Sequence, residues 1–297
     1  MFGGLRAEFD PVLARELLLL IGRSYTQYLE HQYGRPGDWP PRHRRLYERY
    51  RATGPEALPG GFQLEEIITW SPARTGFGLT RDQAHAIGFL ARSGPLRYLV
   101  FRGTASEREW WQDLQLTQKQ SPVATGRFPP GRVHQGFGRI FGTLDPSPVE
   151  LYERISRKRG PLLIAGHSLG GALAVLSALE LRALRPVVYT FAAPRIGDPV
   201  FAETYERLVP RTFRVCNFWD PVPKMPDRTV DLLVRKFHYR HVGREVPLYS
   251  LSQAGGESIP HLMRQGMDLT RYVLQGGKID PLFTHQVKAY EHGLDKL

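Results

Sequence analysis

The sequence predicts an α/β protein, with a mainly parallel central sheet flanked by helices and a helical extension at its N-terminus. Three observations carry that reading. Residues 162–165 (Leu-Leu-Ile-Ala) form a short apolar run behind the turn signal Gly160-Pro161, and an Ala- and Leu-rich stretch without interior Gly or Pro follows Gly171. Apolar, β-rich runs at 96–101, 187–191 and 212–218 alternate with helical segments, as βαβ units do. Thr104, Ser168, Arg195 and Asp220 fall at the ends of these runs, where open parallel sheets hold their ligands.

Taken in order, residues 11 to about 33 show helical spacing, with Leu13, Leu17, Leu20, Tyr25 and Tyr28 near one face. Pro36, Pro40 and Pro41 then break regular structure, and 55–61 makes a second loop. Residues 1–61 are thus read as an extension packed on a single domain whose core is 62–297. Short strands are expected near 64–69, 76–80, 84–91 and 96–101, a meander leading into a core strand. That strand runs into Arg102-Gly103-Thr104, which puts a hydroxyl residue at the tip of a turn.

Residues 105–114 read as a short helix, followed by an irregular polar loop to Pro130. The adjacent Trp110 and Trp111 fit either a flap over a site for an apolar substrate or ordinary half-buried packing, and both readings stay open. A new segment opens at Val133-His134-Gln135-Gly136-Phe137, and 148–157 is a helix leading back to the 162 strand. The helix after it spans roughly 169–184. The 187–191 strand ends at Ala192-Ala193-Pro194-Arg195. A further helix separates it from the 212–218 strand, which ends at Trp219-Asp220-Pro221.

With 297 residues the chain can bury a substantial core. Its formal net charge of +11 rests on 40 Lys and Arg residues, clustered at 42–51 and again at Arg154, Arg157, Lys158 and Arg159. No nucleic-acid fold signature accompanies these clusters, which favours a solvated face or an anionic lipid surface over nucleic acid. The single cysteine, Cys216, sits in an apolar run and reads as buried packing, so no oxidising compartment is implied. The apolar run 17–21 is short, is preceded by Glu8, Asp10 and Glu16, and lacks a small-residue cleavage site. It is read as no signal peptide. No run is long enough to span a bilayer. The expected location is cytoplasmic, with peripheral contact at a membrane surface left open.

Gly166-His167-Ser168-Leu169-Gly170 is a G-x-S-x-G pattern between an apolar strand and a helix former. That context marks a nucleophile elbow: the serine is held in a strained turn, and small neighbours let strand and helix pass close together. A serine hydroxyl is a weak nucleophile at neutral pH, so it needs a histidine base, which needs a partner to fix its tautomer. On such a sheet the chain order is serine, acid, histidine. Of Asp198, Asp220, Asp227, Asp231 and Glu245, Asp220 is best placed, beyond the next strand but one in a loop stiffened by Pro221 and Pro223. For the base, His285 at the mouth of an amphipathic C-terminal helix anchored by Tyr290 and Leu294 is favoured, with His261 as the alternative. His238 and His241 lie close to the acid in a basic, strand-like stretch. The oxyanion donors are the N–H of Leu169, first in its helix, and Thr104. No histidine pair has a third ligand at zincin spacing, so no metal and no other cofactor is expected.

Several linked motifs resemble one family. Phe101-Arg-Gly-Thr104, Trp111-x-Asp113-Leu, Val133-His-x-Gly-Phe137, Gly166-His-Ser-Leu-Gly-Gly171, Thr190-Phe-x-x-Pro194-Arg-x-Gly197 and Asp220-x-Val-Pro223 occur in the order seen in the class 3, fungal-type lipases. The likeness spans about 62–294 and does not include the N-terminal extension or the basic patch. The resemblance implies an α/β-hydrolase fold, hydrolysis of carboxylic esters of lipid, no metal, and a mobile lid after the oxyanion residue. It carries the nucleophile onto Ser168, the acid onto Asp220 and the oxyanion donors onto Thr104 and Leu169. His285 with Tyr290 five residues on looks like the family's C-terminal histidine segment.

The expected function is therefore a serine carboxylic-ester hydrolase acting on glycerolipids at a lipid or lipid–water interface, which can be anionic. Trp110 and Trp111 favour an acyl chain over a small polar ester. Phospholipase, galactolipase and small-ester activity share the chemistry, and a non-catalytic lipid-binding protein on the same scaffold is the reading from outside it.

Overall fold

The computed structural model describes residues 8–33, 58, 61–71, 84–104, 118–120, 131–232, 235–250 and 285–297. The strand expected at 76–80, the helix at 105–114 with Trp110 and Trp111, His261 and the 42–51 basic cluster lie outside the described residues.

Strands β1 (Phe62–Trp70), β2 (His85–Ser93) and β3 (Leu96–Phe101) form the expected antiparallel meander. The short β4 (Leu144–Asp145) adds to the free side of β1. On the other side β3 pairs in parallel with β5 (Leu162–His167), followed by β6 (Val187–Phe191), β7 (Thr212–Asn217) and β8 (Arg244–Leu248). The eight strands of this sheet stand in the order β8-β7-β6-β5-β3-β2-β1-β4. Strand order places Ser168 after the central β5, with Thr104 beyond its neighbour β3 and Asp220 beyond β7.

Side chains alternate across the sheet with period two, so each strand feeds two cores. Leu99, Phe101, Leu162 and Ile164 face one cluster, covered by α2 (Gln135–Gly142), α3 (Pro148–Ser156), α4 (Leu169–Glu180) and α5 (Pro199–Leu208). Tyr98, Val100, Leu163 and Ala165 face the other, covered by α1 (Pro11–Tyr33) and α6 (Val287–Leu294). This is the α/β architecture the alternating runs predict.

Local chemistry sets where the helices start. Ser147 and Glu150 form a reciprocal capping box ahead of Pro148 at the start of α3. Asp198 accepts the Phe201 N–H at the start of α5. Asp10 Oδ1 accepts from the Val12 and Leu13 amides, and its own N–H bonds to the Tyr189 hydroxyl on β6, which pins the start of α1 to the sheet. The buried stripe of α1 is Ala14, Leu17, Leu18, Leu20, Ile21, Tyr25 and Leu29, while Leu13 and Tyr28 are only partly covered.

Every residue of α4 is buried, and the helix ends four residues earlier than its composition predicts. Residues Arg182–Leu184 tighten into a 3₁₀ turn and Arg185 takes the left-handed conformation, φ 50°. The residue before a proline is sterically barred from helical geometry, and Arg185 precedes Pro186.

The described basic cluster is largely paired. Arg154 bonds Glu66, Lys158 sits 2.7 Å from Glu65, and Arg157 lies 3.9 Å from Glu153. Exposed pairs of this kind contribute little to stability, but they leave less free positive charge there than the sequence suggests. Cys216 is buried as expected, and burial pushes its thiol up to about 11. Among the described residues no helix is long and apolar enough to cross a membrane.

Candidate active site

The turn between β5 and α4 forces Ser168 to φ 57° and ψ −124°, a conformation that L-residues avoid. Strain of this kind costs about 1–3 kcal/mol and persists only where the surroundings impose it. Here two glycines do so. A Cβ on Gly166 would stand 2.0 Å from the Gly170 carbonyl oxygen, and one on Gly170 would stand 2.5 Å from the oxygens of Phe101 and Arg102. Strand, helix and the end of β3 thus meet backbone to backbone at the serine. The Ser168 amide is fixed to the Phe191 carbonyl at 2.9 Å. Its side chain does not cap α4, and Oγ makes no hydrogen bond among the described residues.

Asp220, fully buried, is held from three sides. Oδ1 accepts the Val222 amide at 2.8 Å, while Oδ2 accepts from His285 Nδ1 at 2.9 Å and from the Tyr290 hydroxyl at 2.6 Å. A buried carboxylate is tolerable only when its lone pairs are satisfied in this way. The loop carrying it turns through Val222–Lys224 and is clamped by Arg195, whose guanidinium bonds the Lys224 carbonyl and, at 2.6 Å, the Pro226 carbonyl. Arg195, singled out at a strand end, therefore braces the Asp220 loop.

Tyr290 accepts the Asn217 amide at 3.1 Å and donates to Asp220. Burial, then the Asp220 charge, push the phenol well above its ordinary value, so it remains a donor. With both Tyr290 and Nδ1 donating to the carboxylate, His285 is assigned the Nδ1–H tautomer, which leaves its Nε2 as the basic nitrogen. The C-terminal helix begins at Val287, two residues after His285, so the imidazole is presented from the preceding turn.

His285 is tied to the elbow through the residue beside the serine. His167 Nε2 lies 2.7 Å from the His285 carbonyl oxygen, and the two rings are 4.8 Å apart. His167 Nδ1 lies 3.0 Å from the Tyr25 hydroxyl, which also accepts the Gly103 amide at 2.9 Å. Thr104 is buried next to Gly103, and its hydroxyl oxygen has no partner among the described residues. Leu169 opens α4, where first-turn amides have no partner within the helix. Ser168, Asp220, His285, Thr104 and Leu169 thus gather at the carboxyl ends of β3, β5 and β7. His238 instead meets Thr229, and His241 the Pro223 carbonyl. Sequence reasoning assigned no role to Tyr25 or His167, and saw Tyr290 as a helix anchor and as part of the C-terminal histidine segment, not as a partner of Asp220. His167 stood in the elbow motif, but the only signal for Tyr25 was its place on the buried face of α1.

Three imidazoles, His134 and His167 buried and His241 partly so, have a consequence for stability. Burial holds His167 well below its ordinary value, His134 at about 4, and His241, also beside Arg214 and Arg195, at about 3. Above pH 6.5 these groups are neutral whether folded or unfolded. As pH falls below that value the unfolded chain takes up protons that the folded chain refuses, and each group removes up to about 1.4 kcal/mol of stability per pH unit. For His134 the loss continues to about pH 4. The melting temperature should therefore fall progressively between pH 6.5 and pH 5, less steeply for His134→Gln. A melting temperature flat from pH 8 to pH 5 contradicts this reading.

A strained serine between a central parallel strand and its helix, beside a buried imidazole–carboxylate pair, defines an α/β-hydrolase. A solved triacylglycerol lipase, described as having a serine protease triad as its catalytic centre, superposes with a TM-score of 0.53 at 25% identity, covering 82% of this chain and 83% of that one. Residues 98–230, which include Ser168 and Asp220, match the family described as Lipase (class 3), so the likeness read from the motifs holds over that segment. Among curated relatives, phospholipase A1-II 4 of Oryza sativa is 31% identical over 195 residues, 55% of this chain and 47% of the relative. The lipase of Rhizomucor miehei is 31% identical over 159 residues, 50% of this chain and 40% of the relative. The chain spans about half the length of the curated relatives it matches.

Proposed function

We propose that this protein is a serine carboxylic-ester hydrolase that cleaves acyl esters of glycerolipids through Ser168, His285 and Asp220. The observation that carries the reading is the buried Asp220–His285 pair, held against the elbow by the hydrogen bond between His167 and the His285 main chain. In the first step His285 Nε2 takes the Ser168 hydroxyl proton as Oγ attacks the ester carbonyl. Asp220 keeps the ring in the tautomer that can accept this proton and stabilises the imidazolium that results. The tetrahedral oxyanion is received by the amides of Thr104 and Leu169, with the Thr104 hydroxyl at hand. The imidazolium returns its proton to the departing alcohol, and an acyl-Ser168 ester remains. Water, deprotonated by His285, then releases the fatty acid and restores the serine.

Glycerolipid as the substrate class draws its support from the relatives, one named a lipase and another a phospholipase A1. Triacylglycerol, phospholipid, galactolipid and short p-nitrophenyl esters, assayed side by side, separate the head groups. The expected result is release of fatty acid from at least one glycerolipid and its loss, by a factor of about 10⁴ or more, in Ser168→Ala. Turnover that is unchanged in Ser168→Ala overturns the mechanism. Hydrolysis of short esters alone overturns the substrate class and leaves the mechanism standing.

A further inference from the structure

We propose that Tyr25 and His167 are positioning residues for this reaction, a relay from α1 that sets the His285 main chain and the end of β3 in register with each other. The inference rests on the assignment of His285 and Ser168 above.

The direction of every hydrogen bond in the relay follows from the chemistry of its ends. The Gly103 amide can only donate, so the Tyr25 oxygen accepts from it at 2.9 Å. The His285 carbonyl can only accept, so His167 Nε2 carries the proton that meets it at 2.7 Å. A neutral imidazole has one N–H, and burial keeps His167 neutral, so its Nδ1 is an acceptor. The Tyr25 hydroxyl, 3.0 Å away, supplies the matching proton. One arrangement satisfies all four groups: Gly103 to Tyr25, Tyr25 to His167, His167 to the 285 carbonyl.

The two ends of the relay are the two halves of the reaction site. Gly103 precedes Thr104, whose amide is assigned to the oxyanion, and His285 carries the base. A Cβ on Gly103 would stand 2.5 Å from the Tyr25 oxygen and 2.8 Å from the Ser168 Cβ, so the hydroxyl sits where β3, the elbow and α1 converge. Packing does not call for that hydroxyl. The Tyr25 ring lies in the apolar cluster between α1 and the sheet, where a phenylalanine ring has the same shape. Removing the oxygen leaves His167 Nδ1 without this donor. The Nε2–H still faces the 285 carbonyl, but an imidazole held at one nitrogen only can swing, and the main chain that carries the base loses a fixed anchor.

The test is Tyr25→Phe, assayed on a soluble ester with Ser168→Ala as the blank. The expected result is a fall in kcat of about ten-fold or more, the orienting value of one hydrogen bond, with KM within about two-fold. The melting temperature should stay within a few degrees of the parent. Imidazole ¹⁵N spectra should show His167 as the Nε2–H tautomer in both proteins, with the Nδ1 resonance of the variant displaced by loss of the hydrogen bond it accepts. At position 167, His167→Gln, whose amide can again donate to the 285 carbonyl, should retain about ten-fold more kcat than His167→Leu. Parental kcat in Tyr25→Phe, or equal kcat in the Gln and Leu variants, overturns the proposal. If Tyr25→Phe does not fold, the comparison at position 167 decides. Turnover surviving in Ser168→Ala would instead overturn the underlying assignment, so the two failures are distinguishable.

Discussion

Asp220→Asn is expected to lower kcat/KM by roughly 10³–10⁴-fold while leaving the fold in place. The two side chains have nearly the same shape, so packing around position 220 is retained. What changes is the hydrogen-bond grammar. The carboxylate accepts from His285 Nδ1, from Tyr290 and from the Val222 amide, and it donates nothing. An asparagine has only one accepting oxygen. Oriented toward Val222, it presents its NH₂ to His285 and turns Nδ1 into an acceptor. The ring proton then moves to Nε2, and the ring can no longer take a proton from Ser168. Steady-state kinetics with a thermal melt check this. Activity within ten-fold of the parent, with the melting temperature preserved, contradicts the role given to Asp220.

The second large effect is on folding. Gly166→Ala is expected to cost about 3–5 kcal/mol, a large part of the roughly 5–15 kcal/mol by which a folded protein is stable. The added methyl would stand 2.0 Å from the Gly170 carbonyl oxygen and 2.7 Å from the Gly171 amide nitrogen. Both are main-chain atoms of a wholly buried helix, so no flexible side chain can give way. Gly142→Ala is the control: a Cβ there meets nothing within 4 Å, and the site is exposed. Its melting temperature should match or slightly exceed that of the parent. Equal stability of the two variants, by denaturant titration, contradicts the account of the elbow.

What was legible in the sequence was local. The elbow could be read because strand, serine and helix are contiguous, and its glycines announce a close approach that the structure then shows at Gly166 and Gly170. Asp220 could be read because it follows a strand in a proline-stiffened loop. His285 was favoured by chain order and helix placement, and the structure puts its ring on Asp220, 65 residues away in sequence. The relay was not legible. Tyr25 and His167 are 142 residues apart, and a tyrosine on the apolar face of a helix looks the same whether or not its hydroxyl has a task. The early end of α4 was not legible: Pro186 constrains Arg185 alone, and nothing in the sequence marked 182–184 as a 3₁₀ turn and not a last α-helical one. The basic cluster around Arg154 looked like free charge because its acidic partners, Glu65 and Glu66, lie on β1, far away in sequence.

Labelling with a fluorophosphonate, followed by intact-mass and peptide mass spectrometry, tests the central claim most directly. The reagent's phosphorus stands in for the ester carbonyl: Ser168 Oγ forms the P–O bond, fluoride leaves, and the proton passes to His285. The account predicts a single adduct per chain, located on the peptide that contains Ser168 and absent from Ser168→Ala. No adduct, or an adduct on another residue, would contradict it.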